Sequence, residues 1–138
     1  MPTLLVAVDD STYAAKAVDT AATLAKGLAA DVIVFHLRTD DLAARGPVEA
    51  GESADAASDS VKSAVAALQS AGVASVTGRV DHGLAGEAAN AILDVAKQVN
   101  ADFIVMGHRG TGRLSGLLLG SVAHKVINLA DRPVVVAR

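Results

Sequence analysis

The sequence predicts a doubly wound α/β fold, a five-stranded parallel sheet with helices on both faces. Three observations lead there. Short apolar runs rich in Val, Leu and Ile recur along the chain, separated by segments whose apolar residues fall at helical spacing. Those runs are continuously apolar, as strands covered on both faces must be. The 138 residues suit one domain spanning 1–138, and 51% of them are apolar, with only Tyr13, Phe35 and Phe103 as aromatics.

Each element has its own signal. Residues 3–8 form a short apolar run closed by Asp9-Asp10-Ser11, a buried strand leading into a polar turn. Ser11 or Thr12 is placed to cap the helix that follows, in which Ala14, Ala17, Val18, Ala21, Leu24, Ala25 and Leu28 share one face. Asp31 opens a second strand, 32–37. Residues 38–52 carry little periodicity and read as a mobile loop. A second helix is expected over 53–71, with Val61, Ala64, Val65 and Leu68 inward and Gly72 as its C-cap. A weaker third strand covers 73–80, followed by a turn at Asp81-His82-Gly83. The third helix runs from 85 to 99 and buries Ala88, Ala89, Ile92, Leu93 and Ala96. The fourth strand, 102–106, enters a glycine-rich loop, a fourth helix covers 120–130, and Pro133 opens a last strand ending at Ala137.

Strands alternating with helices pair in parallel through right-handed crossovers. In such sheets ligands bind beyond the carboxyl ends of the strands, where the strand order reverses. With the first strand central and the fourth beside it, that crevice is lined by Asp9-Asp10 and by Gly107–Gly110.

Composition narrows the chemistry. The chain has no cysteine, which excludes disulfides and thiolate zinc sites. The first apolar run is too short for a leader or a membrane span, so a soluble, cytoplasmic protein is expected, with no membrane partner. A net charge of −3 argues against nucleic-acid binding. From Gly107 to Ala130, however, there is no Asp or Glu, while His108, Arg109, Arg113, His124 and Lys125 are present. An acidic chain with one carboxylate-free basic segment suggests a local anion site, unless the gap is a chance one.

Five glycines lie between Gly107 and Gly120, with two residues separating Gly107 from Gly110 and nine separating Gly110 from Gly120-Ser121. Glycine allows positive φ and close approach to the backbone. Successive amides in such a loop form an anion nest, and the helix opening at Gly120-Ser121 offers free N–H groups and a favourable dipole. A polyphosphate suits these features; tight turns alone are the competing explanation. No G-x-x-x-x-G-K-[ST] is present, and Gly110-Thr-Gly112 is followed by Ser115 where a dinucleotide fingerprint has its third glycine.

These residues resemble the ATP-binding branch of the universal stress protein family, whose G-2x-G-9x-G-[S/T] motif is matched by Gly107, Gly110, Gly120 and Ser121. The segments 6–11, 104–110, 117–122 and 133–136 are also similar to family segments, so the resemblance covers the whole chain. It implies strand order 3-2-1-4-5 and ATP as ligand, with Mg²⁺ carried through the phosphates. It implies Asp9 against ribose or adenine with Ala7 and Val8 beneath, Leu37 walling the adenine, and Met106 and Gly107 on the base and ribose side. Gly110, Gly120, Ser121 and Val122 would hold the phosphates. It also implies a homodimer through the strand Pro133 to Ala137, whose apolar edge invites pairing. Asp10 stands where the family has glycine, either as a solvated or capping residue or as a second carboxylate that repels phosphate or recruits Mg²⁺. Ala7 replaces a proline, and Ala123 replaces a hydroxyl that some members offer.

His108, Arg109 and Arg113 either contact phosphate or stand as solvated loop residues. The histidines show no metal-binding spacing, and no resident metal is expected. No G-x-S-x-G and no candidate base beside a nucleophile is visible, so no catalytic residue is assigned. The expected function is an ATP-binding regulatory protein of stress response. The alternatives are a slow ATPase, a cyclic AMP binder, or a nucleotide-free dimeric interaction module.

Overall fold

The computed structural model describes residues 1–9, 11–40, 54–110 and 119–138. The elements alternate along the chain: β1 (Thr3–Ala7), α1 (Thr12–Leu28), β2 (Asp31–Asp40), α2 (Ala54–Ser70), β3 (Val76–Leu84), α3 (Ala88–Gln98), β4 (Phe103–Gly107), α4 (Ser121–Leu129) and β5 (Val134–Ala137). All strand pairs are parallel, and the order across the sheet is β3-β2-β1-β4-β5, as expected from the family resemblance.

The central position of β1 explains its sequence. Its side chains alternate between two apolar layers. Leu4, Val6 and Val8 join Val34, Val105, Ala21 and Leu68 beneath α1 and α2. Leu5 and Ala7 join Phe35, Ile104, Ile92 and Val126 beneath α3 and α4. Both faces are covered, so the strand cannot alternate polar and apolar residues.

The helices follow their predicted stripes with small changes. In α1, Ala17, Val18, Ala21, Ala22 and Ala25 are buried, whereas Leu28 at the last turn is exposed. In α3, Val95 is buried with Ala89, Ile92 and Ala96, and Leu93 is only half-buried. Gly72 follows α2 with φ +98°, the left-handed conformation that suits glycine. Arg132 ties the end of α3 to the start of β5. Its Nη1 donates to the carbonyls of Ala96 (2.8 Å) and Ala101 (2.7 Å), and its Nε donates to Asp131. That last bond holds the exposed Asp131 carboxyl below its usual range.

Two expectations need correction. Arg38, Thr39 and Asp40 belong to β2, not to a loop; residues 41–52 of the expected mobile segment lie outside the described residues. Asp81, His82 and Gly83 belong to β3, not to a turn. The reason is mutual: the two ends pair, Leu37 with Asp81, Arg38 with His82, Thr39 with Gly83 and Asp40 with Leu84. Ladder hydrogen bonds near a sheet edge tolerate polar residues whose local preference is for turns.

Among the described residues, Phe35 is the largest fully buried side chain. Phe35→Ala is expected to lower stability by about 3–5 kcal/mol. Urea denaturation should show an earlier midpoint with an unchanged slope.

Candidate functional site

The strand order reverses between β1 and β4: the chain winds outward from β1 through β2 to β3, then returns to β4 and β5. Leu4, Leu5 and Val6 pair with Phe103, Ile104 and Val105, which brings the carboxyl ends of these two strands side by side. Asp9 follows one end and Gly107–Gly110 the other. The crevice lies where doubly wound sheets bind ligands.

Close backbone contacts bring the loop and the start of α4 together. The Gly120 amide donates to the His108 carbonyl at 2.6 Å, and the His108 amide donates to Ala137 of β5 at 2.8 Å. A Cβ on Gly120 would lie 3.1 Å from Arg109 Cα and 3.4 Å from the Gly110 nitrogen. A Cβ on Gly110 would lie 2.7 Å from Asp9 Oδ2, and one on Gly107 would lie 2.9 Å from Tyr13 Cβ and 3.0 Å from the Tyr13 carbonyl oxygen. Among the described residues, the glycines with positive φ are Gly72 and Gly86. The motif glycines Gly107, Gly110 and Gly120 therefore serve close approach, not left-handed turns.

Asp9 is oriented before any ligand arrives. Its Oδ1 accepts from the Ser11 amide at 2.9 Å and from the Ser11 hydroxyl, while Oδ2 faces Gly110. Ser11 occupies the N-cap position of α1, but its hydroxyl serves Asp9 instead of capping the helix. Ser121, Val122 and Ala123 open α4, and their amides precede that of His124, which donates to the Gly120 carbonyl at 2.9 Å. Ser121 is exposed. Ala123 is packed into the apolar layer beneath α3 and α4, so a hydroxyl in its place would start from a buried position.

The predicted apolar residues divide between the two layers. Ala7, Leu37, Met106 and Val122 share the layer of α3 and α4. Val8 points into the opposite layer. Its backbone is committed too, the amide to the Phe35 carbonyl at 2.9 Å and the carbonyl to His36 Nδ1 at 2.7 Å. Arg109 and His108 lie in the described loop and are partly buried. Asp10 and Arg113 lie outside the described residues.

Sequence reasoning missed two supports of this site. Buried His36 holds the turn after β1; because a carbonyl oxygen only accepts, Nδ1 must carry the proton. Tyr13 packs edge-on against His108, with centroids 4.7 Å apart and planes at 88°. Both residues reach the site through tertiary contacts that spacing cannot reveal. The D-x-S pattern at Asp9 and Ser11, by contrast, was a readable signal of local side-chain capture. His108 Nδ1 is buried and has no hydrogen-bond partner among the described residues.

A doubly wound sheet with a glycine-lined crevice at its switch point is the class that fold and site define. More particularly, the model of the universal stress protein family matches residues 1–138, and the chain belongs to that family. It is 32% identical to the universal stress protein YxiE of Bacillus subtilis, over 98% of this chain and 97% of that one. A universal stress protein from Archaeoglobus fulgidus superposes with a TM-score of 0.74 at 29% identity, covering 100% of this chain and 99% of the other. A structure of the universal stress protein from Archaeoglobus fulgidus in complex with dAMP has a TM-score of 0.70 at 26% identity, covering 100% and 98% of the two chains. Among the described residues, no group of three or more His, Cys, Asp or Glu side chains is placed to hold a metal ion, and no helix is long and apolar enough to cross a membrane.

The contact at Gly107 yields a test. Gly107→Ala is expected to cost about 1–3 kcal/mol by overpacking. Tyr13→Ala in the same chain should give no relief, because the obstructing atoms are the Tyr13 Cβ and backbone oxygen. Thermal melts of the single and double variants would check this.

Proposed function

We propose that this chain binds an adenine nucleotide, ATP, in the crevice between the ends of β1 and β4, and acts as a nucleotide-dependent regulator in stress response. The observation that carries the reading is the convergence of Gly107–Gly110, the first turn of α4 and Asp9 on one crevice. The Gly110 amide and those of Ser121 and Val122, with the Ser121 hydroxyl, would donate to phosphate oxygens. The Gly120 amide already serves His108, so Gly120 would contribute the absence of a side chain, not a donor. The stretch from Gly107 to Ala130 contributes no carboxylate of its own to this donor set.

Asp9 Oδ2 would accept from the ribose. Ala7, Leu37, Met106 and Val122, which share one apolar layer, would meet the base side. Val8 would act through its backbone, fixing Asp9. His108, Arg109 and Arg113 would add charge or hydrogen bonds at the phosphates. Mg²⁺ would enter through the phosphates. The relative solved with dAMP supports an adenine nucleotide as the ligand class. A second copy would pair through β5, whose apolar residues Val134, Val135 and Val136 lie at a sheet edge. We assign no catalytic base, and binding without fast hydrolysis is the reading proposed.

Titration calorimetry with ATP and Mg²⁺ is expected to show binding, and cyclic AMP and dAMP should compete more weakly. At a hundredfold excess of ATP over its dissociation constant, stabilisation of about 2.7 kcal/mol should appear as a higher Tm. No heat and no thermal shift at millimolar ATP would sink the proposal. Gly110→Val places a side chain against Asp9 and is expected to remove binding while retaining the helical circular dichroism spectrum. A mass-spectrometric time course with ATP should show the nucleotide largely unchanged.

A further inference from the structure

We infer that β3 is an interface for a second copy of this chain, paired antiparallel with its own counterpart about Val80. β3 is an edge strand of nine residues, more than twice the four of β5. It contains no proline and no lysine, two common devices by which edges are kept from pairing. Val80 and Leu84 are 40% and 39% exposed. Val80 borders an open groove of about 380 Å³ between β3 and α2, walled by Val61 and Val65.

The backbone limits how a second strand can join. The Val32 amide donates to the Ser75 carbonyl at 2.9 Å, and Val32 is in register with Val76. In a parallel ladder this directs the peptide groups of the odd-numbered residues of β3 toward β2. Those of Val76, Gly78 and Val80 face outward, while at the strand's end the Leu84 carbonyl accepts from the Glu87 amide at 3.0 Å. An antiparallel partner must therefore place even residues opposite even residues.

Charge then selects among the registers left. Arg79 and Asp81 project from the face opposite α2, joined by two hydrogen bonds of 2.8 Å each. Centring the pairing on Arg79 or on Asp81 sets like charges directly opposite. Centring it on Val80 sets Arg79 of each copy opposite Asp81 of the other, a complementary box of four charges in non-hydrogen-bonded pairs, where side chains are closest. The same register pairs Val80 with Val80 and sets Val76 opposite Leu84, covering both exposed apolar residues. A lone arginine would block this edge; the Arg79–Asp81 pair makes it self-complementary.

β3 and β5 lie at opposite edges, so this contact is independent of the nucleotide reading and of pairing through β5. If both edges pair, the two dyads generate a larger assembly than a dimer.

The chain has no cysteine, so single cysteines report on the interface. In the proposed register the two Val80 Cα atoms lie about 5.5 Å apart, within disulfide range. The two Leu84 positions are about 27 Å apart. Under mild oxidation at up to millimolar protein, Val80→Cys should form a covalent dimer and Leu84→Cys should not. Equal linking of both, linking of neither, or linking through Leu84→Cys alone would overturn the proposal. Arg79→Asp added to Val80→Cys should weaken the association about tenfold, and the swap Arg79→Asp/Asp81→Arg should restore it. Association indifferent to the reversal would overturn the charge-selected register. Val80 contributes no peptide group to the β2 ladder, so the Val80→Cys variant should keep the wild-type Tm in reducing buffer.

Discussion

The parallel pairing of β1 with β4 is the constraint on which the rest of the structure depends. It lies at the middle of the sheet and is the place where the chain's winding changes direction. Two turns distant in sequence, one after Ala7 and one after Gly107, are forced next to each other. Neither turn carries much chemistry alone. Together they place a carboxylate, a run of amides and a helix start around one crevice.

That crevice is held by backbone contacts more than by side chains. Gly120 lies against the backbone of Arg109 and Gly110, Gly110 against Asp9, and Gly107 against Tyr13. At Gly107 and Gly120 a single methyl group would meet backbone atoms, and at Gly110 the Asp9 carboxylate, so the motif spacing encodes distances between chain segments. The supporting residues work the same way. His36 holds a carbonyl, Ser11 holds a carboxylate, and Arg132 holds two carbonyls at the far end of α3. The dense interior leaves such arrangements little freedom to drift.

The parts of the fold that were legible in the sequence are those whose residues have one environment. β1, β4 and the apolar stripes of the helices are buried in continuous layers, and their composition says so. The outer halves of β2 and β3 were misread because Arg38, Thr39, Asp81, His82 and Gly83 have turn-like preferences that only their mutual pairing overrides. For the site, the glycine spacing and Asp9 could be read, since close approach and anion binding leave a residue-type signature. Tyr13 and His36 could not: each acts on a segment elsewhere in the chain, by a contact that exists only once the sheet has formed. Glycine itself was read for two properties, and only the smaller volume turned out to matter at the motif positions described.

The hydrogen bond from the His108 amide to Ala137 fastens the glycine loop to the final residue of the outermost strand. A displacement of that strand cannot leave the loop unaffected without breaking this bond. Order at the rim and geometry at the crevice are thus linked through one shared donor, and linkage of this kind runs equally in both directions. The end of β5 is in this sense a mechanical component of the loop 29 residues before it, and trimming it would alter more than the edge.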